Sequence, residues 1–190
     1  MSTLDTLEKF TQAWPQAERE ELARSFAIGW TALRYQGTGS MEGLEFLYPF
    51  LNDSDMRVRR HALQAVGTIF RGTGTESLEK LAYITLNRDL FIRDRAAPII
   101  GQTLVGEGRD TILEVLRPSY THRNDFVRGQ GCTALGIAAQ GQGGKDILSL
   151  LAERFIDRSP HVSSQAVHGV GLAFAGSGDL DALRPPKSAP

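Results

Sequence analysis

The chain is short of cysteine, of net charge and of long apolar runs. One cysteine among 190 residues excludes an internal disulfide. A formal net charge of −1 gives no field that would attract nucleic acid or an acidic membrane. No apolar run approaches the roughly 18 residues that a membrane span requires, and no stretch has the pattern of a signal peptide. These absences predict a cytoplasmic protein that binds neither a membrane nor nucleic acid.

The four histidines form no metal-binding pattern. His61, His122, His161 and His168 include no pair at the four-residue spacing of a helical zinc site, and none is followed by glutamate. Cys132 falls beside buried positions of a predicted helix, where a lone thiol is usually inert. We therefore expect no metal site, no cofactor and no catalytic residue.

Glycine, in contrast, is present in a repeating pattern. Gly67, Gly101, Gly136 and Gly171 follow one another at intervals of 34, 35 and 35 residues. A Gly-x-Gly follows each of them, and Ala32 stands in the same place in an earlier copy. Five copies at a fixed period predict a stack of small units, because no unit of this size can bury its apolar face alone.

Each copy predicts a helix, a tight turn and a shorter second helix. In the second copy Val58, Ala62, Val66 and Ile69 have the spacing of one helical face. The Gly-x-Gly is expected to end the first helix, since glycine closes a helix C-terminus without steric cost. The predicted N-caps of the first helices are Glu20, Asp55, Asp89, Asn124 and Ser159. The second helices are predicted at 44–51, 78–86, 112–116 and 147–155.

Three further features of the first helices carry predictions. Small residues recur at the helix centres, around Gly67, Gly136 and Gly171, which predicts close approach between neighbouring helices. Pro98 interrupts the first helix of the third copy and should kink it or leave a carbonyl unpaired. Trp30 falls in a register that is predicted to be buried.

The most regular charged feature is a column of arginines with one member in each of the first four copies. One interpretation is a ladder that offers bidentate bonds to a carboxylate or phosphate ligand. The other is an internal ladder that bonds to the Asp or Asn caps of the neighbouring copy, and the register with those caps favours it. The members are Arg24, Arg59, Arg93 and Arg128.

The pattern predicts a single domain over residues 1–183 and a disordered tail at 184–190. A capping helix is predicted at about 2–14, where Leu4, Leu7, Phe10 and Trp14 form one apolar stripe before Pro15. The predicted repeats span about 16–51, 52–86, 87–117, 118–156 and 157–183. Because the second helix of the last repeat has room only at 179–183, that end is expected to meet another copy or a partner.

Two sets of segments resemble known repeat families. Asp55-x-x-Val58-Arg59-x-x-Ala62 and Asp125-Phe-Val127-Arg128 resemble the HEAT-like repeat, including the phycobilisome-lyase type, and the glycine-rich segments at 136–143 and 169–179 are similar to the proteasome/cyclosome repeat. The resemblance covers about residues 20 to 180. It implies an all-α fold, a right-handed α-solenoid of about five helix-turn-helix repeats, with a concave row of helices that binds another macromolecule.

If the first helices line the concave side, their outward positions form a mixed polar surface. Such a surface suits a helix or an extended peptide better than a catalytic pocket. The alternative is that these side chains are merely solvated. The predicted partner-binding residues are Arg60, His61, Gln64, Arg95, Gln102, Gln130, Thr133, Gln165, His168 and Leu172.

The sequence thus predicts a non-catalytic interaction scaffold or adaptor that binds a partner protein or peptide on its concave helical face. Two alternatives stay open. The first is an enzyme subunit of HEAT-like type, such as a phycobilin lyase, which would hold a bilin. The second is a structural element that self-assembles through the open C-terminal repeat as a homo-oligomer.

Overall fold

The computed structural model of the protein describes residues 16–81, 84, 89–142 and 144–176, and within these ranges every regular element is helical. The predicted all-α class is confirmed for this part of the chain. A short 3-10 helix, Thr75–Ser77, lies between the third and fourth α-helices. The α-helices are α1 (Gln16–Arg34), α2 (Met41–Leu51), α3 (Met56–Ile69), α4 (Leu90–Arg93), α5 (Ala96–Thr103), α6 (Arg109–Tyr120), α7 (Asp125–Ala138), α8 (Lys145–Ala152) and α9 (Pro160–Phe174).

The helices form two rows. In the first row α1, α3, α5, α7 and α9 each contact the next, while α2, α6 and α8 pack beside the following first-row helices α3, α7 and α9. The apolar faces meet between the rows in two hydrophobic clusters, one over residues 28–99 and one over 97–173. The clusters adjoin at α5, so that burial runs along the whole described stack and no unit has a separate core.

Glycines allow neighbouring first-row helices to approach closely. A Cβ atom added to Gly101 would lie 2.5 Å from the Ala134 carbonyl oxygen, and one added to Gly136 would lie 2.6 Å from Gly169 Cα. These separations are below van der Waals contact, so only glycine fits there. The predicted close approach is confirmed at Gly136 and, in the last copy, at Gly169, whereas a Cβ added to Gly171 would meet no atom within 4 Å.

The Gly-x-Gly turns connect successive repeats as well as ending helices. Gly37 has a φ of +67°, a left-handed conformation that glycine adopts without strain, and its N–H donates to the carbonyl of Thr68 at 3.1 Å. Gly72 donates in the same way to the carbonyl of Gln102 at 2.9 Å. The last carbonyls of a helix have no hydrogen-bond donor inside that helix. Each of these turns therefore supplies a donor to a terminal carbonyl of the helix in the following repeat.

Three of the five predicted N-caps are confirmed. Asp55, Asp89 and Asn124 each accept a hydrogen bond from the backbone N–H two residues later, at 2.8 to 2.9 Å. This is the bond by which short polar side chains satisfy the free donors of a first helical turn.

The prediction for Glu20 is wrong, and that for Ser159 is correct only for the backbone. Glu20 lies inside α1, because this helix already begins at Gln16, directly after Pro15. Ser159 has the extended backbone of an N-cap, but its hydroxyl donates to Asp125 Oδ2 at 2.9 Å and not to α9. Pro160 follows as the first helical residue, where its missing N–H is not needed.

The second helices differ in extent from the predicted ones. The helix predicted at 112–116 is longer in the structure, Arg109–Tyr120, and the one predicted at 147–155 ends at Ala152. Of the predicted helix at 78–86, residues 78–81 form a turn, and most of the remainder lies outside the described residues. The capping helix at 2–14, the short helix at 179–183 and the tail at 184–190 also lie outside them.

Pro98 divides the first helix of the third repeat, as predicted. The helix is split into α4 and α5 by a turn at Asp94 and Arg95. The absent N–H of Pro98 would have bonded to the carbonyl four residues earlier, which belongs to Asp94. The break therefore falls where the proline leaves a carbonyl without its helical donor.

The prediction that Trp30 is buried is wrong, because its side chain is 60 % exposed. The register was read correctly, since the equivalent residues Ala65, Ile99 and Ala134 are buried. Ala134, for example, packs against Gly101 of the preceding first-row helix. No helix of the described residues precedes α1, so Trp30 is left uncovered there.

The arginine column is largely an internal ladder. Arg128 donates to both carboxylate oxygens of Asp157 in the next repeat, at 2.9 and 3.0 Å, and Arg24 lies 3.4 Å from Asp53 in the same relation. Arg59 donates to the carbonyl of Asp53 within its own repeat, at 2.6 Å. The structural interpretation is confirmed for Arg24 and Arg128, although their acceptors precede the caps by two residues, and Arg59 lies 4.0 Å from Asp89, the cap of the next repeat. The fourth member, Arg93, contacts Asp94 at 3.8 Å.

Candidate functional site

A groove runs across the middle of the first row, between α3, α5 and α7. Its volume is about 190 Å³. We call it the central groove. Its lining residues are Arg60, Leu63, Gln64, Arg95, Pro98, Ile99, Gln102 and Gln130. Five of the ten residues predicted to bind a partner are thus brought together, namely Arg60, Gln64, Arg95, Gln102 and Gln130.

Arg95 is positioned by the break between α4 and α5. It lies in the turn that Pro98 imposes, and its guanidinium stacks over the ring of Phe91 with 3.9 Å between the guanidinium carbon and the ring centroid. The ring of Phe126 is 4.9 Å from the same carbon, and Arg95 Nη1 donates to the carbonyl of Phe91 at 3.2 Å. Arg95 is therefore held between two aromatic rings at the wall of the central groove.

The central groove is electropositive. Partial burial lowers the pKa of Arg95, and the nearby charge of Arg60 lowers it further. Arg60 is exposed, and among the described residues it has no ion-pair partner. Asp94 partly offsets the charge on Arg95. Two guanidinium groups at one groove, one of them unpaired, favour an anionic ligand group.

Three glutamine amides add hydrogen-bonding capacity. The side chains of Gln64, Gln102 and Gln130 have no hydrogen-bond partner within the described residues. Gln102 lies directly over Gly67, where an added Cβ would come within 2.8 Å of its Cδ atom. Each amide offers two donors and an acceptor, so the central groove can bind a peptide backbone as well as a carboxylate.

The floor of the central groove is apolar and was not predicted as part of the site. Leu63 and Ile99 are each 4 % exposed and belong to the first hydrophobic cluster. Their helical register shows that they face the core, which is why the sequence indicates packing and not binding. Leu63 and Ile99 line the groove together with Arg60 and Arg95 because α3 and α5 pack side by side. The sequence of one helix alone does not predict this packing.

The other five predicted residues do not line the central groove. The hydroxyl of Thr133 donates to Gln165 Oε1 at 2.6 Å, so these two side chains bond to each other across α7 and α9. His61 is exposed on α3, and His168 and Leu172 lie further along α9.

The described residues provide no nucleophile or metal cluster at the central groove. Burial raises the pKa of Cys132 to about 11, so its thiol is protonated at neutral pH. His161 stacks flat on Phe126, with their ring centroids 5.3 Å apart, and His122 Nδ1 accepts the backbone N–H of Asn124. Over residues 16–81, 84, 89–142 and 144–176 no three His, Cys, Asp or Glu side chains are grouped to hold a metal ion.

The chain matches no protein-family model and no curated protein. A search of the described helices for an apolar stretch of membrane-spanning length found none.

Proposed function

We propose that the protein is a non-catalytic interaction scaffold that binds an extended, acidic segment of a partner protein in the central groove. The observation that supports this most directly is the composition of that groove. Two arginines and three unpaired glutamine amides surround an apolar floor in the groove between α3, α5 and α7. Carboxylates pair with guanidinium groups, amides bond to a peptide backbone, and the floor takes an apolar side chain.

The size of the central groove also supports a peptide ligand. At about 190 Å³ it is smaller than the roughly 300–1,000 Å³ of pockets that enclose a small molecule or cofactor. One or two side chains of a bound segment fill such a volume. A bilin, the ligand expected for the lyase-like alternative, would not be enclosed by a groove of this size.

The proposal extends to the arrangement of the two rows of helices. We infer that the two rows of helices form a right-handed α-solenoid of HEAT-like repeats, with the first row on its concave side. The series of contacts from α1 to α9 supports this inference, since each first-row helix contacts the next one along the chain. Binding then uses a surface built from several repeats, as is typical of this architecture.

Selection from a random peptide library on the purified chain tests the function. We expect the enriched peptides to carry Asp or Glu beside an apolar residue. Arg60→Glu should weaken their binding about tenfold, or ~1.4 kcal/mol, because it reverses the unpaired charge at the central groove. Arg117→Glu is the matched control, since Arg117 is exposed on α6 in the other row. Equal loss in both variants, or no enrichment of acidic peptides, would reject the proposal.

A further inference from the structure

The outermost first-row helices, α1 and α9, each have one side on which no other helix of the described residues packs. On α1 this side carries Phe26, Trp30 and Leu33, which are 53, 60 and 70 % exposed and lie on one face of the helix. On α9 it carries Val167, which is 59 % exposed, and Gly171, which faces open space. Apolar faces of this kind mark surfaces that another element covers.

The exposed side of α9 has the register on which a following first-row helix packs. In the preceding repeat the residues equivalent to Val167 and Gly171 are Cys132 and Gly136, and both contact Gly169. A Cβ atom added to Gly169 would lie 2.6 Å from the Cys132 carbonyl oxygen, and one added to Gly136 would lie 2.6 Å from Gly169 Cα. On α9 the same positions meet no following helix among the described residues.

The exposed side of α1 has the register of the other half of this contact. Trp30 is the equivalent of Ala134 and Gly169, the residues that lie against Gly101 and Gly136 of the preceding first-row helix. α1 therefore presents the face of a following helix, while α9 presents the face of a preceding one. One chain carries both halves of the interface that joins its own repeats.

We propose that copies of this chain associate head to tail, with α1 of one copy packed on α9 of the next as a continuation of the first row. In this register Trp30 of one copy lies over Val167 and Gly171 of the other, and Phe26 lies over Ser164. The small residues of α9 leave room for the large side chains of α1. The contact joins two different surfaces, so each copy binds one neighbour at each end and the central groove stays free.

Charges at the helix starts agree with this arrangement. Glu18 and Glu20 are exposed in the first turns of α1, and Arg158 is exposed just before α9. Within the stack, the starts of neighbouring first-row helices are close enough for ion pairs, since Arg57 of α3 lies 2.8 Å from Glu21 of α1. Opposite charges at the contact between copies favour their association.

Sedimentation velocity of the full chain tests the proposal. One helix packed on one helix buries less than the roughly 800 Å² per partner of a standard interface, so the association should be weak and reversible. We expect a monomer near 1 µM and a weight-average mass that rises beyond that of a dimer as the concentration approaches about 1 mM.

Two charge substitutions separate the halves of the contact. Trp30→Glu disables the α1 face, and Val167→Glu disables the α9 face. Each variant alone should stay monomeric, whereas their equimolar mixture should form a dimer that grows no further, because one productive contact remains. Leu90→Glu is the matched control, since Leu90 is 58 % exposed at the start of α4 in the middle of the row. This control should assemble like the natural chain.

Three results would overturn the proposal. The first is a natural chain that stays monomeric over the whole concentration range. The second is a mixture of the two face variants that stays monomeric although far-UV circular dichroism shows both to be folded. The third is a Val167→Glu variant that still dimerises, because two α1 faces would then pair with each other.

Discussion

Gly136 and Gly171 occupy the same position in successive repeats but meet different surroundings. Gly136 lies against the backbone of Gly169, whereas a Cβ added to Gly171 would have no atom within 4 Å. Both are inside helices. Alanine substitutions at these two positions therefore distinguish the steric requirement for glycine from the low helix propensity of glycine.

We expect Gly136→Ala to lower the free energy of unfolding by about 2–3 kcal/mol, because the contacted atoms are backbone and α9 must move as a whole. Gly171→Ala should leave it unchanged or raise it by up to about 1 kcal/mol, since alanine is the better helix former. Urea unfolding followed by far-UV circular dichroism measures both. A destabilisation of similar size at the two positions would contradict the close-approach argument.

For single residues, the sequence predicts the hydrogen bonds that a side chain makes to its own helix. It predicts less well which other helices surround that side chain. The caps Asp55, Asp89 and Asn124 follow from the hydrogen-bonding preference of their own side chains, and they were predicted. Ser159 bonds to a carboxylate of the preceding repeat, and Trp30 is exposed at the end of the row. Both outcomes depend on which helix is adjacent in space, which a single helical register does not contain.

Among the elements, the link between α7 and the loop before α9 is the best-formed ion pair. Arg128 and Asp157 bond bidentately, and their side chains are only 17 % and 9 % exposed. Hydrogen bonds from Arg128 and from the backbone N–H of Ser159 hold the pKa of Asp157 below its usual range. The pair should therefore contribute to stability in a pH-dependent way.

Asp157→Asn should lower the free energy of unfolding at neutral pH by about 1–3 kcal/mol, since it removes a charged hydrogen-bonded partner. A carboxyl whose folded-state pKa is depressed stabilises the fold above its unfolded pKa of about 4, and this contribution is lost as the pH falls through the folded pKa. The difference between variant and natural chain should thus shrink in acid. Chemical denaturation at pH 7 and in acid measures it.

Asp146→Asn is the matched control for this prediction. Asp146 pairs with Arg109 at 3.0 Å, but both side chains are exposed. An exposed pair contributes at most about 1 kcal/mol, so the control should change stability little at either pH. Equal effects of the two substitutions would show that burial does not strengthen the Asp157 pair.

For the molecule as a whole, stability should vary along the stack. Helices α3 and α7 have a first-row neighbour on each side, whereas the last turn of α9 presents Gly171 to open space. In a stack of repeats the stability is the sum of each unit and its interfaces, so the ends open first.

Hydrogen exchange can resolve this gradient. Amides of α3 and α7 should exchange about a hundred-fold more slowly than those in the last turn of α9, which corresponds to ~2.7 kcal/mol. Mass spectrometry of exchanged peptides measures the ratio. Uniform exchange along the described chain would indicate a single cooperative unit instead.

The helical fold could be predicted from the sequence because the pattern that indicates it recurs in five copies. Each copy carries its apolar spacing and its terminal glycines within a few residues, and three of the five carry a side-chain cap. The candidate site could be predicted only in part, since Arg60, Gln64, Arg95, Gln102 and Gln130 gather at one groove while the other five predicted residues do not line it. The apolar floor of Leu63 and Ile99 results from packing between repeats, and the sequence pattern of a single copy does not predict that packing.

The glycine turns differ in how they join one repeat to the next. Gly37, Gly72 and Gly141 each donate a backbone hydrogen bond to the next repeat, but Gly106, at the junction of the third and fourth repeats, makes no such bond among the described residues. That junction is bridged instead by the side-chain amide of Gln142, which donates to the carbonyl of Glu107 at 3.1 Å, and by the ion pair of Arg109 with Asp146. At the other three junctions the bond between repeats comes from the backbone, whereas at this one it depends on which side chains the two repeats carry.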